Sequence, residues 1–266
     1  MKRFTTIFSL LAMASATVRA TEPPAHIDVS KLPNQATLVD DVVVPVPSEI
    51  FGVLDKLGSP NWHEVLRTAK PVNPGDRAQT ALLLGTVIAE GFIAVEAQEG
   101  EEVKKIGRNV LNLSAAIGVK KSVISRSNAI IEAADKKDWP RARTELDGAL
   151  QDVKHAMIEL HDDQLAQLVS LGGWLRGTEA LTTVVQKSYT KGGAELLHQP
   201  LLLEYFQRRL NEMDPHLKKN AVVSTIEKNL EDLKPLISDN NISSKTVDSV
   251  LGISQASVKS ITTREQ

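Results

Sequence analysis

The sequence predicts an all-α protein: an irregular compact helical bundle of about ten helices around two long hydrophobic helices, at about 76–98 and 162–187. Three observations carry this reading. Two stretches of helical length are almost free of charge. Elsewhere, apolar residues recur three and four apart, as in Val103, Ile106, Val110, Leu113 and Ile117. Aromatic residues make up only 4% of the chain, so aliphatic side chains must supply the core.

The chain opens with Lys2 and Arg3, then a mostly apolar run from Phe4 to Ala16. Val18-Arg19-Ala20 fits a small-residue cleavage pattern, with Ala14-Ser15-Ala16 as a second candidate. Residues 1–20 therefore read as a removed secretory signal peptide, and the protein as exported, periplasmic or secreted. The run is too short to span a bilayer comfortably, which takes about 20 apolar residues. With no cysteine in the chain, neither a disulfide nor a cysteine-linked lipid anchor is possible. Without Lys2, Arg3 and Arg19, 28 basic residues face 33 acidic ones, a net charge of −5. That balance argues against nucleic acid and anionic lipid as partners, because their recognition begins with a basic surface.

Residues 21–47 hold Pro23, Pro24, Pro33, Pro45 and Pro47 and cannot form a helix. Their second half, from Leu38 to Val46, is apolar enough to lie extended against the folded body. It could be an edge strand, but no partner strand is apparent. Residues 48–266 form a single all-helical domain, or two intimately packed halves meeting near 160.

Within that domain, Ser48 caps a short helix at 49–57, stopped by Gly58. Ser59-Pro60 opens another at 61–68. After a turn at 70–74 comes the first long helix, DRAQTALLLGTVIAEGFIAVEAQ, apolar on nearly every side. Such a helix is enclosed by other helices or sits in a membrane. Glu90, Arg77, Glu96 and two interior glycines favour enclosure. Asp76 stands where a carboxylate meets the positive end of the helix dipole.

Helices at 100–117 and 122–136 follow, the first ended by Gly118. Asp138 caps the next, with Pro140 in its first turn and a stripe of Leu146, Leu150, Val153, Met157 and Leu160. Asp162 caps the second long helix, DQLAQLVSLGGWLRGTEALTTVVQK, interrupted only by Arg176 and Glu179 between its ends. Gly192-Gly193 breaks the chain before a short turn at 194–198. Pro200 opens a helix at 201–213, and Asp214-Pro215 restarts the chain. Val223, Ile226, Leu230, Leu233 and Ile237 mark another helix, strained by Pro235 near its end. The last, at 245–261, is weakly periodic and expected to fray after Lys259. A faint echo between Leu84-Gly85 with Glu90 and Leu171-Gly172 with Arg176 and Glu179 suggests two related halves.

Glu90 is the most informative position. Its neighbours three and four residues away are Thr86, Val87, Ile93 and Ala94, so its carboxylate must find a partner or take up a proton. Arg176 is the matching oddity, flanked by Gly172, Gly173 and Ala180, with Glu179 one turn on. Arg176 is expected to pair with Glu90, Glu179 or both across the contact of the long helices. Gly85, Gly91, Gly172, Gly173 and Gly177 would allow that close approach. The functional counterpart is a polar pocket for a small anionic ligand around Arg176, Glu179 and Glu90, with Trp174 as a wall. Packing against the glycines is the better account of Trp174.

Metal and catalytic patterns are thin. Glu195-x-x-His198 and Asp152-x-x-His155, with Glu90 and Glu179, would imitate a di-iron bundle site. His155 falls on the outward side of its helix, and His198 sits beside a proline, so no metal or other cofactor is assigned. His161 with Glu159, Asp162 and Asp163 reads as a solvated helix junction. No Gly-x-Ser-x-Gly elbow and no phosphate loop is present, so no catalytic residue is named. The expected function is an exported, non-catalytic helical binding or scaffolding protein with a protein partner and no membrane insertion after signal removal. The alternatives are a receptor for a small anion, and a metal-dependent oxidase or hydrolase.

Overall fold

The computed structural model describes residues 60–68 and 76–263, and the backbone alone of 37–39 and 42–44. The expectations for residues 1–20, the helix at 49–57 and the turn at 70–74 lie outside the described residues. Ten α-helices follow one another in the described chain. The first five are α1 (Arg77–Glu96), α2 (Gly100–Ala116), α3 (Lys120–Asp135), α4 (Trp139–Glu159) and α5 (Asp163–Lys187). The rest are α6 (Lys191–Glu195), α7 (Pro200–Asn211), α8 (Pro215–Lys218), α9 (Ala221–Ile237) and α10 (Ser244–Thr262).

The helix starts follow the capping residues. Asp76 accepts from the Gln79 N–H at 2.9 Å, and Asp138 from that of Arg141 at 3.2 Å. Ser243 caps α10 in the same way, accepting from the Thr246 N–H at 3.1 Å. Asp162 departs from expectation. It stands at the start of α5 without a side-chain capping bond, because Arg77 of α1 holds its carboxylate at 2.7 Å.

Four successive junctions are built alike. After α1, α2, α3 and α4 the chain passes through one left-handed residue: Gln98, Gly118, Lys137 and His161, with φ of 57°, 90°, 55° and 59°. The next N–H then returns to the last full turn, Glu99 to Ala94, Val119 to Ser114, Asp138 to Ala133 and Asp162 to Met157. This is the Schellman closure, which satisfies carbonyls that a helix end leaves free. Such tight links set α1 to α5 side by side in chain order, and each packs on the one before.

The most extensive contact in the fold is between α1 and α5. The two helices run in the same direction, since Arg77 meets Asp162 at one end and Glu90 meets Arg176 further along. They cross where neither has a side chain. A Cβ on Gly85 would lie 1.9 Å from the Val169 carbonyl oxygen, and one on Gly172 would lie 2.0 Å from that of Leu82. Both obstacles are backbone and cannot rotate away. Gly173 is only in ordinary contact range, Gly91 faces Leu146 of α4, and Gly177 meets no described atom within 4 Å. Two of the five glycines therefore make the crossing.

α1 is long and apolar enough to cross a membrane by composition, yet 94% of its apolar window is buried within the protein. It is enclosed by α2, α4, α5 and α10. α10 lies on α5 and α9, and α7 lies on α5 and α9.

Four further expectations need correction. Residues 61–68 form only one turn of 3-10 helix, Trp62–Glu64, because the polar groups beyond it bond to α1 and α5 instead. Gly192 and Gly193 lie inside α6, which starts earlier than expected because Thr190 caps it. α10 continues past Lys259 to Thr262, where Gln79 donates to the Ile261 and Thr263 carbonyls at 3.3 Å. The strand without a partner has one. Thr37–Val39 (β1) pairs antiparallel with Val42–Val44 (β2), Leu38 opposite Val43, and β2 lies beside α7. The fold class remains all-α.

Replacing Gly85 or Gly172 by alanine forces the two backbones apart and should destabilise the protein by about 1–3 kcal/mol or more. Gly252, exposed in α10 with nothing within 4 Å, is the control. There alanine should stabilise by about 0.5–1 kcal/mol. Chemical denaturation of the three variants measures both effects.

Candidate functional site

Glu90 sits five residues past Gly85 on α1, and Arg176 four residues past Gly172 on α5. Past the crossing, the helices diverge enough to admit side chains, and these two fill the space. Arg176 is 1% exposed, and Glu90 and Glu179 are buried with it. Arg176 Nε donates to Glu90 Oε2 at 2.6 Å, and Nη1 donates to Glu179 Oε2 at 3.4 Å. Its Nη2 donates to the Val65 carbonyl at 2.7 Å. All three nitrogens of the guanidinium thus have an acceptor within the protein.

The second oxygen of each carboxylate is also used. Glu90 Oε1 accepts from the Arg67 backbone N–H at 2.6 Å. Glu179 Oε1 forms an ion pair with the Arg67 guanidinium, which stays 42% exposed at the edge of the cluster. Two carboxylates and two guanidiniums close a neutral ring over α1, α5 and residues 65–67. Buried charges persist only when paired and hydrogen-bonded in this way. Removing one partner of such a pair costs about 3–5 kcal/mol.

Burial pushes the Glu179 carboxyl above its ordinary value, and Glu90 adds to this against the opposing pull of Arg176 and Arg67. Desolvation outweighs pairing here because the contact with Arg176 is long and Arg67 is partly wet.

The structure brings together three of the four residues singled out from sequence: Glu90, Arg176 and Glu179. Trp174 faces elsewhere. Its indole stacks at a tilt on Phe206 of α7, 5.2 Å between ring centroids, and its Nε1 donates to Gln199 Oε1 at 3.0 Å. The residue that sequence reasoning missed is Arg67. Its signal was arithmetical: two buried acids against one arginine demand a second cation.

Among the described residues, no group of three or more His, Asp or Glu side chains is placed to hold a metal ion. His155 is exposed, and His198 Nδ1 lies 3.2 Å from the Asp239 carbonyl. The acidic junction at His161 borders an open cleft of about 980 Å³ between the starts of α1 and α5. Asp76, Asp162, Asp163 and Asp214 line it with His161 and His216. Its carboxylates are partly committed, Asp162 to Arg77 and Asp76 to Gln79 and Asn220. Comparison of the chain with protein families, with curated proteins and with solved structures found no match.

Because the folded value of Glu179 lies above its unfolded value of 4.5, its contribution to stability is full below that pH. It is lost as pH rises through the folded value. The stability of the wild type minus that of Glu179→Gln should therefore decline from pH 4 towards pH 7. Urea denaturation at a series of pH values checks this. A difference that is flat or rises with pH contradicts it.

Proposed function

We propose that this is an exported, non-catalytic helical binding or scaffolding protein. One observation carries the reading. The charged residues that are buried among the described ones, Glu90, Arg176 and Glu179, are spent on one another and on residues 65–67. A catalytic or anion-receiving arginine needs donors aimed at its ligand. Here an incoming carboxylate or phosphate must first displace Glu90, Glu179 or the Val65 carbonyl. Export rests on the three-part pattern in residues 1–20.

The test has two arms. Cross-linking of the full-length protein in its native compartment should yield a defined protein partner, and fractionation should find the protein outside the cytoplasm. A thermal-shift series with small carboxylates and phosphates should leave the melting temperature unchanged. A rise of several degrees that disappears in Arg176→Met would replace this reading with that of an anion receptor.

A further inference from the structure

Residues 60–68 are held to the body in an unusual way. They contain a single 3-10 turn, and two of their central attachments are made by main-chain atoms. The Val65 carbonyl accepts from Arg176, and two residues later the Arg67 N–H donates to Glu90. Two apolar side chains sink beside these bonds, Trp62 at 6% and Val65 at 7% exposure. The Arg67 side chain adds a charge to the attachment. Glu90 and Glu179 against Arg176 alone leave one net negative charge in the groove, and Arg67 neutralises it. At the rim, Glu64 pairs with Lys187, and His63 lies 3.3 Å from Glu99.

These contacts read a carbonyl, an amide two residues on, and the basic side chain of that second residue. Together they recognise a short peptide of the pattern apolar-x-Arg. Nothing in them requires that the peptide belong to the same chain. We infer that the groove formed by α1 and α5 around Arg176 is a peptide-binding site that this protein fills with its own residues 62–67. A segment of a partner protein with an apolar residue two positions before an arginine competes for it. The charge balance selects a basic segment, since an acidic one would leave three negative charges facing one guanidinium. Covalent attachment gives the resident segment a high effective concentration, so free peptide competes weakly until that segment's hold is loosened. A strap with a single 3-10 turn, whose internal hydrogen bonds all fall between Pro60 and Leu66, opens at lower free energy than the helices beneath it. This deepens the binding-protein reading by naming the partner's chemistry. Its failure leaves that reading standing, because the cross-linking test does not depend on this groove.

The experiment uses the full chain, as wild type and as Arg67→Ala, with a fluorescent peptide of the sequence of residues 60–68 and a second peptide lacking its arginine. Fluorescence anisotropy should show Arg67→Ala binding the arginine peptide at least about ten-fold tighter than wild type does. The peptide without arginine should lose that gain. In wild type, hydrogen exchange should show the Arg67 amide opening while the interior of α1 stays protected. If Arg67→Ala does not fold, the exchange measurement on wild type decides alone. Equal binding of both peptides, or of neither, by folded Arg67→Ala overturns the inference. So does an Arg67 amide as protected as the amide of Ile88. Concentration-dependent dimerisation of wild type without peptide also overturns it, because the competing segment would then be that of a second copy.

Discussion

The ion pair between Glu90 and Arg176 exists because two helices cross where neither has a side chain. At Gly85 and Gly172 the backbones of α1 and α5 come within a distance that no Cβ would permit. That approach seals the interior next to the crossing, and the two charges one turn beyond it are cut off from water. A lone buried charge costs several kcal/mol, so each group must be fully satisfied by the protein itself. Glu90 and Arg176 satisfy one another along one edge only. The planar guanidinium still offers two directions, and the carboxylate one oxygen. Glu179 and residues 65–67 complete the set. The segment at 60–68 is thus ordered by an electrostatic need that arises on two other elements.

The surrounding helices are positioned by simpler means. Four tight junctions of one geometry lay α1 to α5 down in chain order. Only one of the four left-handed positions is glycine. Gln98, Lys137 and His161 adopt the same backbone against their preference, at about 1–2 kcal/mol each, offset by the carbonyls they help to close. The second half of the chain then covers α5 through α7 and α10. A helix with the composition of a membrane span is in this way enclosed by protein on its apolar faces.

Much of this was legible in the residues. The three-and-four spacing located α2 and α9, and Asp76, Asp138 and Pro200 located helix starts to within a residue or two. The pairing of Glu90 with Arg176 followed from the cost of burying either alone. What was hidden depended on partners distant in sequence. Nothing local marks Arg67, whose role is defined by residues 23 and 112 positions away. α10 looked weakly periodic because Ser254 and Ser257 occupy buried positions, where small size matters more than polarity. Three of the four left-handed junction residues are a lysine, a glutamine and a histidine, which carry no turn signal of their own. Gly177 resembled Gly172 in sequence but faces away from the crossing.

A double-mutant cycle between Glu90 and Arg176 measures how far each group depends on the other. Chemical denaturation of wild type, Glu90→Gln, Arg176→Met and the double variant gives the coupling energy. The double variant should be more stable than the sum of the two single losses allows, by about 1–3 kcal/mol, because each single change strands a buried partner. Losses that simply add would mean that the two groups stand independently in solvent, and would contradict the buried pairing.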